Sequence, residues 1–312
     1  MNIRHKNGEQ SKSKVLKNAF RKEKKMYNYY AANEACHYTD LASERRRAEA
    51  DFEGVEFKKI PCEIGMWDRV KIKSETGAAL IGRPMGTYDT LNTDRLDLFD
   101  EEGLLDVQEA IAKRLCSICD EIAVIPARIL VVGFGNERLT PDSFGPKCAT
   151  RVKPTLHISR YDEDVFETLE CSEIAVFCPG VPALCGMESA ESTRQICEAI
   201  RPDLIFALDA ISTKSHERLG ASIQLSNTGI FPGGVGNLRM PITRETMGVP
   251  VIGIGVPTVM DLRAFGISVQ RSKRAQEAPL FVSPREIDEI TDNAAEVIGG
   301  AINQAFGLYT FK

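Results

Sequence analysis

Short apolar runs separated by amphipathic stretches recur along the second half of the chain. Residues 129–132, Ile-Leu-Val-Val, end in Gly133-Phe-Gly135, which reads as a buried strand followed by a sharp turn. Thr140-Pro141 has the chemistry of a helix start, Thr at the cap and Pro at the first helical position, so Asp142 is expected in the first turn of a helix. Residues 173–180 form a second strand ending in a turn, 189–200 a helix, 203–210 a third strand and 248–257 a fourth. Ser283-Pro-Arg-Glu286 has the form of a capping box and opens a helix expected to run through about Phe306. Strands alternating with helices predict an α/β fold, a doubly wound and mostly parallel sheet covered by helices. Upstream, alternation over 55–60 and 68–73 predicts added hairpin-forming strands. Gly77 is expected in a turn, and residues 88–91 begin a loop that leads to a helix over 105–122. A Gly-rich insertion, 227–237, separates the third and fourth strands and shows no internal repeat.

Composition narrows the class. The 312 residues are 43% hydrophobic and 27% charged, enough for a full core in one large domain or a domain with an appendage. The absence of an apolar run near 20 residues and of a signal-peptide core leads to the expectation of a cytoplasmic protein with no membrane partner. Charge is uneven: residues 1–25 carry nine basic and two acidic side chains, +7, so the remainder carries −12 of the total −5. Such a segment reads as a removable or loosely docked tail, with a nucleic-acid arm as the less specific alternative. Nine cysteines are scattered, and Cys116-Ser-Ile-Cys119 lies in an amphipathic run without a second pair, which favours helix packing over zinc or redox chemistry.

Two carboxylates stand at strand ends, Asp142 after the first strand and Asp209 at the tip of the third. In a doubly wound sheet such positions converge on one edge, where paired carboxylates can share a proton or hold a water. Their environments can then separate an acid from a base, which suits hydrolysis. Spacing alone leaves open that Asp142 is a dipole partner in a first helical turn and Asp209 a cap. Gly133-Phe-Gly135 is not a full dinucleotide fingerprint, because Arg138 occupies the third glycine position. The four histidines, His5, His37, His157 and His216, offer few metal ligands, and no G-x-S-x-G elbow is present.

Five motifs in order extend the reading. Gly133-Phe-Gly-Asn-Glu-Arg-Leu-Thr-Pro-Asp-Ser-Phe-Gly-Pro146, Cys178-Pro-Gly-Val181, Pro202-Asp-Leu-Ile-Phe-Ala-Leu-Asp-Ala210, Thr228-Gly-Ile-Phe-Pro-Gly-Gly-Val-Gly-Asn237 and Ile254-Gly-Val-Pro-Thr-Val259 together resemble the germination protease of spore-forming bacteria. The resemblance implies an endopeptidase that initiates degradation of the small acid-soluble proteins coating spore DNA. Its two essential aspartates fall on Asp142 and Asp209. It further implies a fold similar to the hydrogenase maturation proteases, a homotetramer, residence in the forespore or spore core, and no direct nucleic-acid binding. No cofactor is expected, and a metal stays open because the maturation proteases bind one at the comparable acidic positions.

The family is made as a zymogen that removes its own N-terminal segment at a site resembling its substrates, which are cut after the acidic residue of Thr-Glu-(Ile/Phe)-Ala-Ser-Glu. Thr39-Asp40-Leu41-Ala42-Ser43-Glu44 matches that pattern. Residues 1–40 are therefore expected to be a propeptide, 41–312 a single α/β peptidase domain, and the cut to fall between Asp40 and Leu41. The chain departs from the family's Gly-Ile-His-Pro-Gly-Ser-Gly-Val-Gly-Asn loop: Phe231 replaces the His and the Ser is missing. The rival readings are a metal-dependent maturation-type peptidase and a catalytically silent peptide- or nucleic-acid-binding relative.

Overall fold

Strands β1 (Val55–Cys62) and β2 (Gly65–Ile72) pair as the antiparallel hairpin that their alternating residues predict. The computed structural model describes residues 39–45, 53–231, 240–265 and 280–308. The basic tail and most of the Gly-rich insertion lie outside the described residues. After β2, Ser74 caps a short helix, α1 (Glu75–Ile81), its Oγ accepting from the amide of Gly77. Gly77 is thus helical and not in a turn. A Cβ there would stand 2.8 Å from the Gly54 carbonyl, so the glycine permits close approach of helix and hairpin.

Residues 88–91, expected as a loop, lie inside strand β3 (Gly86–Asn92). Both neighbours of β3 are strands and both its faces are covered, so its residues are buried without the alternation that marks a half-exposed strand. Asp100 caps α2 (Glu101–Glu121), which includes the amphipathic run around Cys116 and Cys119. Burial pushes the Cys119 thiol up to about 12, as expected of a packing cysteine.

The doubly wound core follows. β4 (Arg128–Gly133), α3 (Phe144–Arg151), β5 (Glu173–Phe177), α4 (Ser189–Ile200), β6 (Leu204–Thr213) and β8 (Val251–Asp261) build a parallel layer in the order β5-β4-β6-β8. β7 (Ser222–Ser226) pairs antiparallel with β8 and with β3, joining the N-terminal strands to the parallel core in one sheet. A two-residue strand, β9 (Phe281–Val282), borders β8.

The last helix, α5 (Ile287–Phe306), begins after the expected capping box. Glu286 turns its carboxylate to Arg95 at 3.1 Å, and no side chain caps the helix. Together α2, α3 and α5 cover one face of the sheet, over Ile129, Val131, Phe206, Leu208, Leu225 and Ile254. Apolar side chains on α4 pack the opposite face against Leu130, Val132, Ile205 and Ala207. Among the described residues no helix is long and apolar enough to cross a membrane.

Candidate active site

The backbone after β4 is set by three close approaches. A Cβ on Gly133 would lie 2.4 Å from the Gly145 carbonyl, and one on Gly145 would lie 2.1 Å from the Phe134 carbonyl. Gly135 has φ +121° and lies so near Asp142 that a Cβ would meet its carbonyl oxygen at 2.1 Å. These glycines seat strand, turn and helix against one another. Thr140–Asp142 forms a 3-10 turn with Pro141 near its start, and α3 begins only at Phe144. Asp142 therefore precedes the helix instead of occupying its first turn. The Asn136 amide donates to Asp142 Oδ2 at 3.0 Å, and the Thr258 hydroxyl on β8 holds the Pro141 carbonyl at 2.6 Å.

Asp209 lies within β6, one residue past Leu208, whose partner is Gly133 at the end of β4. The turn bearing Asp142 rests against β6 and β8, so both aspartates stand at the carboxyl edge of the parallel strands. Across the sheet, Asp209 is opposite Gly255 on β8, which is opposite Gln224 on β7, and Gln224 is opposite Thr90 on β3. Residues opposite one another share a face, so Asp209 and Gln224 flank a strand position with no side chain. A cavity of about 40 Å³, enough for a water molecule, opens over this rung. Asp209, Tyr88, Gln224, Arg83 and Phe231 are among its walls, and so is Asp40. Asp142 is not among them.

Asp40 reaches the cavity because the segment from Thr39 to Arg45 is docked on the sheet. Thr39, Leu41, Ala42 and Glu44 are buried, and Ala42–Arg45 forms a 3-10 turn. The Asp40 amide donates to the Ser212 carbonyl at 2.9 Å, and the Ser212 amide and hydroxyl both donate to Asp40 Oδ2, at 2.9 and 2.8 Å. A register shift of β6 against β8 between Ile211 and Ser212 aims Ser212 at the segment. Arg83, just past α1, binds Asp40 Oδ1 at 2.8 Å and the Asp40 carbonyl at 2.9 Å. Phe231 lies against the same guanidinium, 6.0 Å from its centre. Glu44 accepts from the Thr213 hydroxyl and the Lys214 amide, and Ser43 accepts from Arg218. Burial opposes ionisation of Asp40, but Arg83, Ser212 and Arg45 outweigh it and hold the carboxyl below the usual aspartate range.

Among the described residues no group of three or more His, Cys, Asp or Glu side chains could hold a metal ion. The polar side chains that line the cavity with Asp209 are Asp40, Arg83, Tyr88, Gln224, Ser226 and Thr228, and the second carboxylate among them, Asp40, is held by Arg83 and Ser212. Sequence reasoning selected Asp142 and Asp209 but missed Arg83, Ser212 and Gln224. The alternation Ser-Ile-Gln-Leu-Ser over β7 was an available signal for Gln224, placing it opposite the apolar face.

The sequence profile of the germination protease family, peptidase A25, matches residues 32–270. The chain belongs to that family. Among its relatives, the germination protease of Caldanaerobacter subterraneus subsp. tengcongensis is 37% identical over 306 residues, covering 86% of this chain and 93% of its own. The germination protease of Bacillus subtilis is 35% identical over 233 residues, covering 72% of this chain and 63% of its own. A nickel-iron hydrogenase maturation protease from Thermococcus kodakarensis superposes with a TM-score of 0.35 at 20% identity, over 60% of this chain and 99% of its own. The germination proteases are peptidases.

Proposed function

We propose that this protein is an aspartate-dependent endopeptidase, made as a zymogen, that cuts itself between Asp40 and Leu41 and so separates a 1–40 propeptide from a 41–312 peptidase domain. The observation that carries this reading is the docked Thr39–Glu44 segment, whose Asp40 shares a water-sized cavity with Asp209. Water adds to the Asp40 carbonyl carbon and gives its proton to the ionised aspartate. The protonated aspartate delivers a proton to the Leu41 nitrogen as the C–N bond breaks. Asp209, in the cavity wall, is the better situated to act as base, and Asp142 takes the part of acid. The mature enzyme then cleaves small acid-soluble DNA-binding spore proteins at segments of the Thr-Glu-Phe-Ala-Ser-Glu type. It does so as a homotetramer in the forespore or spore core, without binding nucleic acid directly.

The test is to incubate the full chain under mildly acidic conditions and read the new N-terminus by mass. A product beginning at Leu41 is expected, and Asp142→Asn or Asp209→Asn should slow its appearance by about 10²- to 10⁴-fold, the usual contribution of a general acid or base. An intact N-terminus in a folded wild-type chain would sink the reading.

A further inference from the structure

We infer that Arg83 and Gln224 form the carbonyl-activating pair of this site, and that Arg83 with Ser212 is what selects an acidic residue before the cut bond. This rests on the processing reading above, and goes past it by naming the groups that read and polarise the substrate.

A guanidinium as buried as that of Arg83 is retained only with close partners. It spends them on the residue preceding the bond to be cut: one nitrogen, Nη2, reaches both a carboxylate oxygen and the carbonyl oxygen of Asp40. Gln224 Nε2 stands 3.4 Å from the same carbonyl, while its Oε1 accepts from the Ala42 amide at 2.9 Å. The glutamine thus spans the bond, touching the residue before it and the one beyond Leu41. When water adds to the carbonyl carbon, negative charge gathers on this oxygen, and a cation with an amide N–H already aimed at it stabilises that charge. Ile211 packs over Gly255, between Asp209 and Gln224 on their shared rung, and the water-sized cavity beside them is the room from which water can approach.

Selection follows from the donors around the side chain. Asp40 Oδ1 meets Arg83, and Oδ2 meets the Ser212 amide and hydroxyl. The Arg83 and Ser212 N–H groups can only donate, so an amide in place of the carboxylate turns an NH₂ toward a fixed donor and strands both groups. Sites of this design discriminate far better than apolar pockets do. The Phe231 ring stands beside the same guanidinium, its centroid 6.0 Å from Cζ.

The experiment measures the first-order rate of the cut between residues 40 and 41 in full-length chains. In the Arg83 background, Asp40→Asn should slow the cut about 100-fold. In an Arg83→Gln background the same change should matter less than about 3-fold, because the discriminating charge is gone. Arg83→Lys, which keeps the charge without the fork, should retain the preference at a lower rate, and serves if Arg83→Gln does not fold. Gln224→Leu should slow the cut by at least about 10-fold while the Leu41 amide keeps its protection from hydrogen exchange within about 3-fold, separating activation of the carbonyl from mere holding of the segment. An equal Asp40→Asn penalty in both backgrounds, or an undiminished rate in Gln224→Leu, overturns the inference while leaving the processing reading intact. No cut in the wild-type chain overturns the processing reading, and this inference with it.

Discussion

Gly135 shows how much of this site is decided by single residues. Its positive φ and its approach to the Asp142 carbonyl leave no room for a side chain. Gly135→Ala should cost on the order of 2 kcal/mol from backbone strain and displacement of the turn. It should also lower the rate of self-cleavage by at least about 10-fold in the fraction that remains folded, checked by urea unfolding beside the cleavage assay. The aspartates themselves were legible in the sequence, because a carboxylate at the end of an apolar run marks a sheet edge whatever the rest of the fold does. Arg83 was not. Its meaning comes from Asp40, 43 positions away, and from Phe231 on a loop beyond β7, and no local pattern encodes either neighbour. Phe231 itself was visible, but its place beside a guanidinium appears only when the chain is folded.

At the scale of elements, the segment Thr39–Arg45 has the status of a docked peptide. Its seat combines apolar burial of Leu41 and Ala42 with the ionised Asp40. Because the folded value of Asp40 lies below its unfolded value, the carboxylate contributes stability above about pH 3.9, and that contribution disappears as pH falls through the lower folded value. Arg83 and Arg45 face Asp40 and remain charged throughout this window. Hydrogen exchange at the Leu41 and Ala42 amides should therefore accelerate as pH is lowered below about 4, after correction for intrinsic rates, and Asp40→Asn should flatten that dependence. The alternating hairpin, the helix at Ser189–Ile200 and the buried parallel strands could be read from periodicity, since each keeps one period through its length. β3 could not, because a strand covered on both faces loses the alternation. The late start of α5 was hidden for another reason: Glu286 had two possible partners, and the distant Arg95 won over the local cap.

For the whole molecule, the question is how an antiparallel half and a parallel half hold one shape across the cavity between them. β7 joins them within the sheet, and a second tie passes through Asp89 on β3. This carboxylate is 1% exposed and meets Arg69 of β2 at 2.7 Å and Arg114 of α2 at 2.5 Å. Asp89→Asn leaves two arginines facing a neutral group and should destabilise the fold by about 3 kcal/mol, seen as a lower urea midpoint. Since Arg83 and Gln224 stand on the antiparallel side of the cavity and Asp209 on the parallel side, such loosening should also slow cleavage. The buried amide of Leu41 has a sequel once its bond is broken. Hydrolysis would turn that neutral N–H into an ammonium inside an apolar seat, and would give Asp40 a second carboxylate where one had been balanced. Arg83 and Gln224, already aimed at the Asp40 carbonyl oxygen, would face the new carboxylate. The ammonium at Leu41 would meet a neutral hydroxyl, that of Thr39, in place of a counter-charge, so the charge created on the Leu41 side is what loosens the severed segment.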